Sequence, residues 1–542
     1  MFRIERWAVP ALVAAFALSA FFVWAASKGY PTSGGVDALC YLTPAMNDER
    51  GLGLMSRVCR YMDACDPSGG GRLLAYPPGF QAVLTALMPT PSLLSALVAI
   101  QLIHSATVLL GTLAAVRAIA AGASSAPAVL KAGLAMMATF ALASGFSGMG
   151  VGRPEVLVQA ILALALVLLP EGTARTLPLR AGLFIGLAGA VSPWAAVLGG
   201  MFFVWWRSLT EERIAALIRQ SVLAGLVSGI TWGLASLMFP YSMREFVDAM
   251  SCVKQAFGGM VRFDGESSPF NVRYFLFFQI GYTAHPLVLG WTSLELLALV
   301  PVLRSPSPSS LLRAFLRLMF ATAVLIGVFK YQFYIVAPWF PLAVVFLAGR
   351  AASSVGSGHS RLDLGGTQVA GLARVLLLAI AGSGLWLSLA GWPGYAASIG
   401  RAGAESAVER LLEHLPETPI GMERTFLLFP TESERVRLVR RQDRQLQYEA
   451  SNGEIRVADG TEPPVILLRG ACLDVQFSRF RTVCLPWREP GPALHRWVDH
   501  ERFGWAFTLL VRDDAGIDVD ALVNDMMCAA GDAAKPGSCR PR

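Results

Sequence analysis

The sequence predicts a polytopic α-helical membrane protein with a small C-terminal extracytoplasmic α+β domain, and three observations support this fold class. The 542 residues are 54% hydrophobic and 15% charged, whereas soluble domains average about 25% charged residues. Apolar runs of roughly membrane-spanning length recur as far as residue 390. The residues beyond them are polar and mixed, which predicts a separate soluble domain.

The first apolar run covers residues 7–26 and follows Arg3 and Arg6. Lys and Arg collect on the cytoplasmic side of membrane proteins, so the N-terminus is predicted to be cytoplasmic and the helix to lead outward. No clear small-residue cleavage site follows, and Trp24 and Tyr30 suit a membrane boundary. We therefore interpret this run as a retained helix and not as a signal peptide.

Hydropathy places the other spans and basic residues orient them, which gives about eleven transmembrane helices. Large outer loops are predicted at residues 28–80 and 241–285. Residues 76–88 are too short to span comfortably and predict an interfacial helix, and Ser192-Pro193 divides another apolar stretch into two short segments. The predicted spans are 7–26, 93–116, 132–149, 156–169, 181–191 with 194–206, 221–238, 286–303, 318–329, 335–347 and 375–390.

The domain boundary is predicted near residue 392. Residues 1–392 form the transmembrane domain and residues 393–542 the soluble domain, which an odd number of spans puts on the same side as the first loop. Within the soluble domain, residues 404–415 predict an amphipathic helix. The segments 425–429 and 464–468 predict short strands.

Cysteine positions test this sidedness independently. Every cysteine falls in a segment assigned to the outside, as an oxidising compartment would produce, and their pairing stays open. The eight positions are Cys40, Cys59, Cys65, Cys252, Cys472, Cys484, Cys528 and Cys539.

Two candidate sites carry carboxylates. Asp37 lies just beyond the first helix, where a carboxylate can take a proton from a hydroxyl nucleophile, although an ordinary loop or helix-capping aspartate is the simpler explanation of this residue taken alone. Arg153-Pro154-Glu155 meets the outer boundary between two helices, a depth at which ionisable residues are often functional. The alternative there is an Arg–Glu pair that neutralises itself and closes a tight turn.

The remaining candidates are basic or aromatic. Lys330, followed by Tyr331, meets the outer boundary and could bind a phosphate or simply extend to the interface. Arg57 and Arg60 could grip a lipid phosphate or be solvated loop charges. Tyr76 opens a rigid Pro-Pro turn before the interfacial helix.

Two polar residues within a span predict a structural role. Gln101 and His104 are expected to satisfy each other or a backbone group. Elsewhere, no nucleotide-binding fingerprint is present. The net charge of +7 requires no nucleic acid, because cytoplasmic loops collect basic residues.

The order of these motifs resembles the GT-C superfamily of integral membrane glycosyltransferases over residues 1–350. The chain is most similar to the branch that holds the aminoarabinose and protein O-mannosyl transferases. The motifs are Asp37-Ala38-Leu39-Cys40-Tyr41-Leu42, Tyr76-Pro77-Pro78-Gly79, Gly152-Arg153-Pro154-Glu155, Gly186-Leu187-Ala188 through Ser192-Pro193, and Lys330-Tyr331.

The resemblance implies a polyprenyl-phosphate-linked sugar as donor, membrane lipid around it, and an extracytoplasmic acceptor hydroxyl on a lipid, glycan or protein. It implies that Asp37 is the base and that Glu155 and Arg153 position substrate. Lys330 would lie near the donor phosphate, with Tyr331 and Tyr76 as further contacts. No cofactor is required, and a divalent metal is left open. The implied location is the bacterial inner membrane, with transfer on its periplasmic face.

Two other classes of function stay open. A transporter or lipid flippase would also be polytopic, although such proteins usually show internal repeats and broken helices near the bilayer midplane, and the sequence shows no repeat. A non-catalytic envelope assembly protein would depend on its soluble domain instead of the boundary carboxylates.

Overall fold

A computed structural model describes about half of the chain. The described residues are 5–27, 41–42, 44–47, 78–90, 93–122, 126–144, 153–168, 176–208, 213–237, 242, 244–249, 251, 339–356, 371, 373–375, 377–378, 380–382, 401–423, 435–442, 445–449, 455–457, 462–469, 480–485 and 507–534.

The chain divides into two compact units. Unit 1 comprises Met1–Val23, Tyr61–Ala86 and Ala99–Ser388, and unit 2 comprises Trp24–Arg60, Leu87–Val98 and Leu389–Arg542. The residues that follow the first helix therefore belong to the same unit as the C-terminal domain. Within that segment, the side chains of Tyr41, Leu42, Ala45 and Met46 are buried.

The first part of the chain is helical. A 3-10 turn at Arg6–Ala8 precedes α1 (Val9–Ser27), and the following helices are α2 (Gly79–Leu87), α3 (Leu93–Gly122), α4 (Ala128–Ser144), α5 (Glu155–Leu168), α6 (Leu177–Val191), α7 (Pro193–Ser208), α8 (Ile214–Ser236) and α9 (Phe340–Gly356). Buried alanines dominate the main core, where α3, α4 and α9 meet. Such small side chains let helix backbones approach closely.

Within the described residues, α1, α3 and α8 are long and apolar enough to cross a membrane. Shorter apolar helices include α4, α5, α6 and α9. These helices lie where the sequence predicts spans, and α2 lies where it predicts a short interfacial helix. The predicted spans 286–303 and 318–329 lie outside the described residues, so the total of about eleven stays a prediction.

α6 and α7 form an antiparallel hairpin around Ser192. This residue has an extended backbone, with φ −147° and ψ 120°, because the following proline disfavours the helical conformation. A Cβ built on Gly189 would lie 2.9 Å from the Cβ of Ala196, and one on Gly199 would lie 3.3 Å from Cγ1 of Ile185. The predicted division at Ser192-Pro193 is therefore confirmed as a tight turn between two packed helices.

α6 also packs in parallel against α8, through glycines spaced four residues apart. A Cβ on Gly182 would lie 2.5 Å from the carbonyl oxygen of Ala224, and one on Gly186 would lie 2.6 Å from that of Ser228. Real Cβ atoms do not approach backbone oxygens so closely, so this contact requires glycine. Small residues at this spacing are typical of membrane helix pairs.

The other face of α8 exposes a continuous row of large aliphatic side chains. Ile214 is 74% exposed and Leu234 is 62% exposed. The intervening members of the row are Ile218, Val222, Leu226 and Ile230. An apolar row of this length on a membrane-length helix is suited to contact with lipid.

The C-terminal part of unit 2 is an α+β domain, as predicted. Its seven strands are β1 (Ile420–Glu423), β2 (Val436–Gln442), β3 (Gln445–Glu449), β4 (Ile455–Val457), β5 (Val465–Arg469), β6 (Phe480–Leu485) and β7 (Phe507–Arg512). The sheet order is β4-β3-β2-β1-β5-β7-β6. β1 is parallel to β2 and β5, and the other pairs are antiparallel. All of Val465–Leu468 are buried, so this central strand is covered on both faces.

Two helices, α10 (Arg401–His414) and α11 (Val519–Ala534), pack together in this domain. Asp518 caps α11, because its Oδ1 accepts hydrogen bonds from the backbone N–H groups of Asp520 and Ala521 at 3.1 and 3.0 Å. Cys528, on α11, is disulfide-bonded. A disulfide is typical of an oxidising compartment.

Candidate functional site

Arg153 and Glu155 form a buried ion pair where α5 begins. Nε of Arg153 donates to Oε2 of Glu155 at 3.2 Å, and the two side chains are 10% and 8% exposed. Both predicted residues are therefore brought together. The contact is the self-neutralising Arg–Glu pair that the sequence analysis gave as the alternative to a functional site.

The local sequence explains why these charges sit at a helix start. Pro154 suits the first helical position, since its missing N–H would have no partner there. The carbonyl of Arg153 accepts from the N–H of Val156 at 3.2 Å, and that of Pro154 accepts from the N–H of Leu157 at 3.0 Å. Glu155 thus lies in the first turn, where the helix dipole stabilises a negative charge.

Burial changes the electrostatic energy of the Arg153–Glu155 pair. Two charges removed from water attract each other strongly, but each loses its hydration. A third charged group that enters this site, such as a phosphate, would compete for the guanidinium of Arg153.

The opposite end of α5 is held by arginines. Nη1 of Arg117, on α3, donates to the carbonyl of Val167, and Nη1 of Arg180, on α6, donates to the carbonyl of Leu168 at 3.0 Å. These carbonyls belong to the last turn of a helix, where cations are favourable. α5 therefore has an acidic residue in its first turn, and arginines from α3 and α6 contact its last turn.

The Arg180 contact also fixes the direction of α6. Its first turn lies at the last turn of α5, so the two packed helices are antiparallel. The C-terminal residues of α6 then lie level with Glu155. A Cβ on Gly79 would be 2.4 Å from the carbonyl oxygen of Ala190, so the start of α2 lies there too. We name this the Glu155 end of unit 1, and the other the Leu168 end.

The Leu168 end also contains Lys131 and Arg207. Lys131 lies in the first turn of α4, after the chain leaves α3 at the Leu168 end, and its Nζ is 5.8 Å from the ring centroid of Trp7. Arg207 lies in the last turn of α7, which runs back along α6, and it donates to Oε1 of Gln220 at 2.6 Å. Basic side chains therefore collect at the Leu168 end.

The other predicted site residues lie outside the described residues. They are Asp37, Lys330, Tyr331, Tyr76, Arg57 and Arg60. Their roles stay predictions, and among the predicted site residues the structure describes Arg153 and Glu155.

The prediction for Gln101 and His104 is confirmed. Nδ1 of His104 lies 3.3 Å from Oε1 of Gln101, and both residues are buried. Within α3, this contact gives both polar side chains a structural role.

Sequence reasoning missed Gln81 and Thr85, on α2. Within the described structure, neither amide atom of Gln81 nor Oγ1 of Thr85 has a hydrogen-bond partner, and all three atoms are buried. The available signal was their spacing of four residues, which puts two polar side chains on one face of a mostly apolar helix.

Among the described residues, no group of three or more His, Cys, Asp or Glu side chains could hold a metal ion. No protein-family model matches the chain. No curated protein sequence matches it either.

Proposed function

We propose that this protein is a membrane glycosyltransferase, which moves a sugar from a polyprenyl-phosphate donor to an acceptor hydroxyl outside the cytoplasm. The observation that carries the proposal is the buried Arg153–Glu155 pair at the Glu155 end. It supplies a cation for a leaving phosphate and a carboxylate for a hydroxyl, in a helical protein whose apolar surface suits lipid.

The distribution of charge supports an orientation with the Glu155 end outward. Arg117, Lys131, Arg180 and Arg207 lie at the Leu168 end, and basic residues favour the cytoplasmic side. At the Glu155 end the described cation, Arg153, is neutralised by Glu155. The donor's prenyl chain would then stay in lipid while its phosphosugar reaches the outer interface.

The composition of unit 2 supports the same sidedness. The unit comprises Trp24–Arg60, Leu87–Val98 and Leu389–Arg542, and the proposal puts the first loop and the C-terminal domain on one side of the membrane. The disulfide at Cys528 favours the outer side. Asp37 belongs to the first loop, and the proposal puts it on the side where transfer would occur.

The proposed reaction is a single displacement. The acceptor oxygen attacks the anomeric carbon of the donor sugar, and the bond from that carbon to the phosphate oxygen breaks. The electron pair of that bond leaves with polyprenyl phosphate, while the acceptor proton passes to Asp37. Arg153, with Lys330, stabilises the phosphate charge that develops, and Glu155 orients the acceptor or the donor sugar.

The test measures release of polyprenyl phosphate by the full chain in lipid nanodiscs, from donors that carry a hexose or a pentose, with lipid, glycan and protein acceptors supplied in turn. We expect Glu155→Gln and Asp37→Asn each to lower turnover about 100-fold or more, because each removes a carboxylate from the reacting groups. The matched control is Glu409→Gln on α10. The side chain of Glu409 is exposed, so this substitution should leave turnover unchanged.

Two outcomes would overturn the proposal. One is full activity in both Glu155→Gln and Asp37→Asn. The other is the absence of transfer from every donor tested by protein that is folded by circular dichroism. A lipid flippase, the alternative, would move labelled lipid between leaflets in the same preparation without cleaving the sugar–phosphate bond.

A further inference from the structure

Several buried threonines in unit 1 have hydrogen-bond partners. Other buried atoms that lack one within the described residues, such as Oγ of Ser19, Oγ of Ser221 and Nε1 of Trp339, stand singly on separate elements. Oγ1 of Thr107 donates to the carbonyl of Ile103 at 3.3 Å, and that of Thr139 donates to the carbonyl of Ala135 at 2.9 Å. Such a bond to the carbonyl four residues earlier is the usual solution for a helical threonine. Thr112 likewise meets Thr139 at 3.1 Å.

Gln81 and Thr85 differ from these threonines, because their polar atoms lack partners within the described residues and lie on one face of α2. Gln81 is 1% exposed, yet its amide oxygen and nitrogen both lack a partner within the described structure. Thr85 could donate to the carbonyl of Gln81 one turn earlier, but its Oγ1 is also without a partner there. A buried polar group without a hydrogen bond is costly, so this face of α2 is suited to a ligand that supplies the missing partners.

We propose that Gln81 and Thr85 bind hydroxyl groups of the donor sugar. The amide offers a donor and an acceptor, and the threonine hydroxyl offers both functions. These neutral groups match sugar hydroxyls, whereas Arg and Lys are the side chains that form the strongest hydrogen bonds to a phosphate. This inference rests on the proposed function, because it assigns the sugar of the same donor.

The position of the pair fits this assignment. α2 begins at Gly79, against Ala190 at the Glu155 end, and Gln81 lies within one turn of that contact. The sugar would therefore be bound at the end of the bundle that carries Arg153 and Glu155. Thr85 is half-buried, so the pair borders the protein surface, and apolar surroundings strengthen any hydrogen bond formed there.

The experiment compares two lipids with the full chain in nanodiscs. One lipid is polyprenyl phosphate, and the other is the same lipid carrying a hexose or a pentose. Affinity is measured by titration and thermal stability by the melting temperature. We expect the unaltered protein to bind the sugar-bearing lipid more tightly. Gln81→Leu and Thr85→Val should lower that preference about tenfold, because each removes hydrogen bonds to the sugar.

The melting temperature without lipid separates this role from a structural one. Gln81→Leu should match or exceed the unaltered protein, because it removes an unsatisfied buried amide. The matched control is Gln101→Leu, which removes one hydrogen-bond partner of His104. It should lower the melting temperature and leave the lipid preference unchanged.

Three results would overturn the inference. A fall in the lipid-free melting temperature of Gln81→Leu would reveal an internal partner. An unchanged preference in both Gln81→Leu and Thr85→Val would remove the pair from sugar binding while leaving the proposed function intact. Binding of neither lipid by the unaltered protein would reject the proposed function and this assignment together.

Discussion

The two ends of α5 use arginine in different ways. At the Leu168 end, Arg117 and Arg180 donate to backbone carbonyls, which any helix of this length would offer at its end. At the Glu155 end, Arg153 donates to a buried carboxylate, which helix geometry does not require.

The two kinds of arginine contact are expected to affect stability differently. Arginines that cap carbonyls satisfy groups that would otherwise be unpaired, so their loss should weaken the helix end and leave the rest of the protein intact. A buried ion pair is costly to assemble and often adds little stability over apolar residues. Stability alone therefore does not account for its presence at the Glu155 end, and the proposed function assigns the pair to binding.

The largest expected effect comes from splitting the ion pair. Arg153→Met leaves Glu155 buried without its cation, which should lower the free energy of unfolding by about 3–5 kcal/mol. The measurement is reversible unfolding in mixed detergent micelles. The double variant Arg153→Met/Glu155→Leu should recover most of this loss while lacking transfer activity. Equal destabilisation of the single and double variants would show that the contact is structural.

An intermediate effect is expected at the other end of the same helix. Arg117→Met removes a charged donor from the Val167 carbonyl, which should lower the free energy of unfolding by about 1.5 kcal/mol. The same unfolding assay measures it, and turnover per folded molecule should not change. Loss of turnover without loss of stability would contradict the division between the two ends.

The smallest effect is expected at Arg180, because its side chain is exposed. Arg180→Met should lower the free energy of unfolding by about 0.5 kcal/mol, and less at high salt, since solvent ions screen its attraction to the helix end. Unfolding at low and high salt tests this. A loss as large as that of Arg153→Met would show that both ends depend equally on buried charge.

Local features of the fold could be predicted from the sequence. The predicted spans at 93–116 and 221–238 correspond to α3 and α8, and the turn at Ser192 follows from the proline after it. The boundaries were less accurate, since α3 continues to Gly122 and α8 begins at Ile214. Helical hydrogen bonds continue past the apolar residues that define a span, because they require no apolar side chain.

Contacts between distant parts of the chain could not be predicted. Nothing in the glycine spacing identifies α8 as the partner of Gly182 and Gly186. Hydropathy likewise gives no indication that Gly79 meets Ala190, or that the segment after the first helix shares a unit with the C-terminal sheet. These contacts depend on where the chain returns in space.

The sequence by itself determined the apolar helices, the basic residues that orient them, and the Arg153-Pro154-Glu155 motif, because each is a property of neighbouring residues. Only the tertiary structure decided that the ion pair is buried, that arginines from α3 and α6 hold the opposite end of α5, and that Gln81 and Thr85 lack partners in the described residues. The physical reason is that burial and hydrogen-bond satisfaction depend on every element packed around a group.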